Sequence, residues 1–170
     1  MVEEHDHEYR TGIGTDIHRF IEGKKLMLGG VVIPFPQGLL GHSDGDVVLH
    51  AVIDALLGAA ALGDIGTLFP DTDQQFAGSD SRILLVDVKD RLQELRWLIV
   101  NVDIIIHLEN PRLEPFKAQI KRCIASLLEI DFNAVNVKAK TNEGLGEIGE
   151  GLAIAVTAAV LLKRKYKRTL

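Results

Sequence analysis

The sequence predicts an α+β fold: a single-domain α/β sandwich in which a mixed sheet carries its helices on one face. Three observations lead there. A length of 170 residues suits one core of ordinary size and is short for two. Hydrophobic residues make up 46% of the chain and aromatics only 5%, which favours a compact enzyme-like chain over a disordered or base-stacking one. Segments of period two and segments of helical period follow one another in the order β-β-α-α-β-α-β-β.

Each element has a local reason. Arg10 to Phe20 alternates as a strand does, and Lys24 to Ile33 reads as a second strand. Gly29-Gly30 marks a bulge or a close backbone approach inside it, and Pro34 and Pro36 end it. Ser43 and Asp44 are helix-capping types, opening a helix from about Gly45 to Ala61. Gly63 to Asp73 is a loop dense in Gly, Asp and Pro. Ser79 to Leu95 repeats at helical spacing, and Trp97 to His107 is a β-branched strand. Pro111 to Glu129 reads as a helix with Pro115 in its first turn, and Val135 to Lys140 as a short strand. Gly151 to Leu162 is rich in Ala and Val; periodicity does not separate helix from strand there, and a strand would close the sheet. Residues 1–9, with the cluster His5-Asp6-His7, form an expected flexible N-terminal segment, 10–163 the domain, and 164–170 a solvated basic tail.

Composition narrows the function. A net charge of −5 speaks against nucleic acid as a partner. Gly, Asp and Lys interrupt every apolar run, so no membrane span is expected, and the N-terminus has neither a signal-peptide core nor an Arg/Ser-rich transit segment. Cys123 is the single cysteine, which excludes a disulfide framework and suits a reducing compartment.

The chemistry concentrates early in the chain. Asp16 and His18 are two apart on a strand and point the same way. On the following helix Asp46, His50 and Asp54 are spaced to stack along one face. One Asp and two His are the ligand types of catalytic zinc, which keeps a fourth position open. Each residue alone has an ordinary reading as a turn cap or a polar side chain, whereas a shared cation would account for all three among apolar neighbours. Gly12 and Gly14 do not complete a dinucleotide fingerprint, because Ile17 stands where its third Gly belongs. They read instead as letting the strand pass close to phosphates, or as a bulge.

Taken in order, these motifs resemble one family. Gly12-x-Gly14-x-Asp16-x-His18 is followed by Leu39-Leu40-Gly41-His42-Ser43-Asp44-Gly45-Asp46 with His50 and Asp54, then by Gly63-Asp64-Ile65-Gly66 and Leu68-Phe69-Pro70-Asp71-Thr72-Asp73. Asn101-Val102-Asp103, Pro111-Arg112 and Val137-Lys138-Ala139-Lys140-Thr141-Asn142-Glu143 come after. From about Arg10 to Lys163 the chain resembles the 2-C-methyl-D-erythritol 2,4-cyclodiphosphate synthases of the non-mevalonate isoprenoid pathway. The resemblance implies a homotrimer with active sites between subunits, found in the bacterial cytoplasm or in the plastid stroma of a plant or alga. It implies cyclisation of 4-diphosphocytidyl-2-C-methyl-D-erythritol 2-phosphate with release of CMP. Zn2+ would be held by Asp16, His18 and His50, one per active site, and Mg2+ or Mn2+ by Glu143 on the substrate diphosphate.

Further roles follow from the same resemblance. His42 and Ser43 would contact the substrate phosphates, and Asp46 would orient a zinc-bound imidazole, with Asp54 close by. Asp64, Gly66, Phe69, Asp71, Thr72 and Asp73 would line the methylerythritol pocket. Leu108, Pro111, Arg112, Leu113 and Glu114 of a neighbouring subunit would surround the cytidine, with Lys140, Thr141 and Asn142 near its phosphates. His42, Thr141 and Glu143 would serve the reaction itself.

Two departures stand out. Many bacterial members carry an Arg-Gly-Glu run that binds an anion on the trimer axis; residues 146–151 are shorter and lack the Arg, so the resemblance carries no such site across. Lys140 replaces a small hydroxyl residue, and the Lys140 to Glu143 segment looks like the plant and cyanobacterial branch. The competing readings are a zinc-dependent phosphohydrolase and a non-enzymatic scaffold whose metal site is closed by a fourth protein ligand.

Overall fold

The computed structural model describes residues 7–70, 72–73 and 78–165. Its main sheet has five strands in the order β4-β1-β7-β5-β6. These are β1 (His7–Glu22), β4 (Gln37–Leu39), β5 (Leu98–His107), β6 (Val135–Lys140) and β7 (Ala153–Lys165). Only β5 and β6 pair parallel, so the sheet is mixed as expected. The final Ala- and Val-rich segment is a strand, and its long antiparallel ladder with β1 runs from Arg19↔Ala153 to His7↔Lys165. That ladder takes in His7 to Tyr9 of the expected flexible terminus and Arg164 and Lys165 of the expected tail. His5, Asp6 and the rest of both termini lie outside the described residues.

Three long helices cover one face: α1 (Val47–Ala60), α3 (Ser81–Glu94) and α4 (Lys117–Leu128). Eleven of the 14 residues of α1 are buried, which a helix apolar all round requires. It lies against β1 and β7 beneath α3. Gly12 and Gly14 make that contact possible: a Cβ at Gly12 would sit 2.0 Å from the Ala55 carbonyl oxygen, and one at Gly14 2.1 Å from that of Ala51. The close approach these glycines permit is therefore to helix backbone rather than to phosphate or a bulge.

Other local expectations are corrected. Gly29 and Gly30, at φ 63° and 76°, turn the chain through a hairpin between β2 (Leu26–Leu28) and β3 (Val31–Ile33), so the expected second strand is two strands in a separate sheet. The N-cap of α1 is Asp46, not Ser43 or Asp44. The segment from Pro111 to Phe116 is irregular and α4 begins at Lys117, because two prolines in five residues remove the donors a helix interior needs. Within the Gly- and Asp-rich loop Ile65 to Leu68 forms a single helical turn, α2, and Gly146 to Gly149 forms another, α5. No helix among the described residues is long and apolar enough to cross a membrane.

Candidate metal centre and nucleotide cleft

Strand alternation sends Asp16 and His18 toward α1, where His50 meets them one turn into the helix. His18 Nε2 lies 2.8 Å and His50 Nδ1 3.0 Å from the same oxygen, Asp16 Oδ2. The other carboxylate oxygen accepts the Ile17 amide at 2.8 Å, which fixes the rotation of the group. One ligand atom from each residue falls within 4.8 Å of the other two. No fourth His, Cys, Asp or Glu joins the cluster among the described residues, so a four-coordinate ion held there would take its fourth ligand from elsewhere.

Each ring is oriented from behind. His18 Nδ1 donates to the Leu40 carbonyl, leaving Nε2 as the nitrogen with a lone pair for a cation. His50 Nε2 lies 3.0 Å from Ser43 Oγ and 3.0 Å from Ser81 Oγ, leaving Nδ1 toward Asp16. Two imidazoles and a carboxylate converging this way, with their far nitrogens already engaged, could hold a divalent transition metal.

Charge and solvation follow from the same geometry. Burial acts to raise the Asp16 pKa, but hydrogen bonds and charge from His18 and His50 overcome it and hold the carboxyl far below its ordinary range. Burial works against the His18 imidazolium, yet the Asp16 hydrogen bond and the Leu40 carbonyl raise its pKa above 6.5. Asp54 is pushed up by its own burial, although it accepts the Ile65 amide at 2.7 Å.

The cluster opens into a cavity of about 300 Å³. His42, Ser43, Asp54, Gly66 and Phe69 contribute to its walls beside the three ligands. Asp64, Thr72 and Asp73 lie off those walls, and Asp71 is outside the described residues. The Asp64 carboxylate caps α2, accepting Thr67 N–H at 2.8 Å and Thr67 Oγ1–H at 2.7 Å. Asp46 also departs from its expected place. It is fully buried and accepts the amides of Gly29 (2.8 Å), Gly30 (2.6 Å), Val48 and Leu49 (both 3.1 Å), which ties the β2–β3 hairpin to the start of α1. Its carboxylate therefore supports the helix that carries His50 and does not stack beside it.

A second cleft, of about 440 Å³, lies where β5 and β6 end. Residues 108–114 form one wall and Ala139, Lys140 and Thr141 the other, so the structure brings together the residues expected around a cytidine. Leu108 and Leu113 belong to the core and form its apolar floor. Glu109, which no local sequence pattern marks, accepts the Asn142 amide at 2.7 Å and the Gly144 amide at 3.4 Å. It thereby holds the turn on which Glu143, at φ 52°, is bonded through Oε1 to the Thr141 hydroxyl at 3.0 Å.

The YgbB family pattern matches residues 9–163, nearly the whole described chain. This chain belongs to the YgbB family. The 2-C-methyl-D-erythritol 2,4-cyclodiphosphate synthase of Bordetella bronchiseptica is 53% identical to this YgbB chain over 92% of its length and 96% of the relative's. The bifunctional IspDF of Campylobacter jejuni matches at TM-score 0.90 and 44% identity, over 94% of the chain; the chain spans 43% of that larger protein. Plasmodium falciparum IspF in complex with CDP matches at TM-score 0.81 and 38% identity, over 93% of the chain and 97% of IspF.

Proposed function

We propose that this chain is a 2-C-methyl-D-erythritol 2,4-cyclodiphosphate synthase. It converts 4-diphosphocytidyl-2-C-methyl-D-erythritol 2-phosphate to the cyclic diphosphate. An oxygen of the 2-phosphate bonds to the β-phosphorus, the β-phosphorus–oxygen bond to the α-phosphate breaks, and CMP leaves with that oxygen. The observation that carries the reading is the open Asp16-His18-His50 cluster facing a cavity walled by His42 and Ser43.

Asp16, His18 and His50 would hold Zn2+, and Glu143 would hold Mg2+ or Mn2+. Bound divalent cations supply charge neutralisation for two phosphates that otherwise repel one another. Ser43 and His42 would donate hydrogen bonds to phosphate oxygens, and Lys140 would do the same from the second cleft, with Thr141 close by and its hydroxyl on Glu143. Gly66 and Phe69 face the methylerythritol, while the floor of Leu108 and Leu113 and the rim of Pro111, Arg112 and Glu114 receive the cytidine. Because attack is intramolecular, holding the two phosphates in line removes much of the barrier, on the order of 7–11 kcal/mol in well-oriented cases. A protein nucleophile is unnecessary.

The two clefts sit on different strands, with β7 between β1 and β5 in the sheet. One substrate is served by both when the second cleft of a neighbouring copy faces the metal centre, which is the homotrimer reading. The sheet face opposite the helices supports it, exposing Tyr9, Ile13, Ile17 and Leu98 at 58–72% of their surfaces. The protein would act in the bacterial cytoplasm, or in the plastid stroma of a plant or alga. A zinc-dependent phosphohydrolase would use the same ligands but has no need of the second cleft. Phosphorus NMR of the products separates the two: CMP and a cyclic diphosphate are expected, and inorganic phosphate or a linear product would refute the cyclase reading.

A further inference from the structure

Ser81 was not among the residues the sequence singled out, and it is fully buried at the first position of α3. Its hydroxyl lies 2.5 Å from Asp44 Oδ1 and 3.0 Å from His50 Nε2. Its amide reaches Asp44 Oδ2 at 3.2 Å, and the Asp44 amide in turn bonds the Ser79 carbonyl at 3.1 Å. An ionised carboxylate only accepts, so the single hydroxyl hydrogen of Ser81 goes to Asp44. What Ser81 then presents to His50 is a lone pair. The Nε2 of His50 must carry a hydrogen to meet it, and Nδ1 is left as the ring's free lone pair, on the side of Asp16 Oδ2.

We infer that Ser81, set by Asp44, is a positioning residue that fixes the tautomer and ring orientation of His50 for metal binding. The inference rests on the zinc reading of the Asp16-His18-His50 cluster. Ser43 Oγ is also 3.0 Å from His50 Nε2, but its other contacts are longer, the Gly45 amide at 3.4 Å and Ser81 Oγ at 3.3 Å, and no carboxylate claims its hydrogen. With the Ser81 hydrogen on Asp44, Ser43 is the donor in its longer contact to Ser81, and that is the hydrogen it can turn to a phosphate while Ser81 holds the ring. The Asp44–Ser81 pair stands to His50 as the Leu40 carbonyl stands to His18: an acceptor behind the ring, on a separate segment, that leaves one nitrogen for the cation.

The test is zinc affinity, measured on metal-free protein against a chromophoric chelator, together with the visible spectrum of the cobalt-loaded protein. Ser81→Ala is expected to weaken zinc binding by about 10- to 100-fold and to shift the cobalt bands, with far-UV ellipticity unchanged. Ser81→Cys, which keeps the side chain's shape but is a weak acceptor, should move both readouts the same way and carries the test if the alanine variant fails to fold. Zinc affinity within about threefold of the parent and an unshifted cobalt spectrum in a folded variant would overturn the inference. A parent protein that binds no zinc would instead sink the metal reading on which it rests.

Discussion

Gly14 packs so tightly against α1 that a Cβ on it would come 2.1 Å from the Ala51 carbonyl oxygen and 2.5 Å from the Ala55 amide nitrogen. Both obstacles are helix backbone, so nothing flexible can yield. Gly14→Ala should push α1 from β1 and part His50 from Asp16, destabilising the fold by about 3 kcal/mol or more and weakening zinc binding together. Chemical denaturation and a zinc titration measure the two effects; a loss below about 1 kcal/mol would contradict the packing argument.

The Asp46 carboxylate is the junction between the β2–β3 hairpin and α1. Replacing it with alanine leaves the buried Gly29 amide and the half-buried Gly30 amide without their acceptor and removes the helix cap. The expected cost is about 3–5 kcal/mol, summing a cap, one buried donor and one half-buried donor. Asp46→Asn, which keeps one acceptor, should lie between. Equal stability of the three proteins in urea would show that the junction does not bear on the fold.

On the zinc reading, a proton and the metal compete for His18 Nε2. In metal-free protein the raised His18 pKa makes its pairing with Asp16 stabilising below pH 6.5, and the contribution is lost as pH rises through the folded value. The depressed Asp16 pKa adds stability above the ordinary 3.8, lost as pH falls. Zinc requires neutral His18, so its affinity should tighten with rising pH, by up to about tenfold per unit while His18 titrates. Calorimetric titrations from about pH 6 to 8 test this; an affinity flat across that span would contradict it.

Glu109 holds the Asn142 to Gly144 turn from inside the second cleft. Glu109→Ala should free the turn that presents Glu143, raising both the magnesium requirement and KM by roughly tenfold. The melting temperature should change little, because the turn is at the surface. Unaltered kinetics in the presence of limiting magnesium would remove Glu109 from the account.

The parts of this site that were legible in the sequence are those that rest on short periodicities. Alternation puts Asp16 and His18 on one face of β1, and helical spacing places His50 where α1 returns over it. What escaped depends on contacts between distant segments or on backbone atoms, neither of which a local pattern records: the Leu40 carbonyl behind His18, Ser81 behind His50, and Glu109 beneath Asn142. Asp46 was misplaced because a residue four positions before His50 reads as a stacked neighbour unless the cap is known, and Ser43 and Asp44 looked equally suited to capping. Gly12 and Gly14 signalled a close approach correctly but not its object. Pro111 and Pro115 were accepted as helix-start residues, whereas together they keep the chain irregular and so create the wall of the second cleft.

On the homotrimer reading, one active site is assembled from the metal cluster of one copy and the Glu143 turn of another. Asp16→Asn and Glu143→Gln, each inactive as a pure oligomer, should recover activity when unfolded together and reassembled. Random assortment places an intact pair of residues at about a quarter of the interfaces, so up to about a quarter of parental turnover is expected. No recovery in mixed oligomers, with both variant chains present, would mean that both halves of the site lie within a single chain.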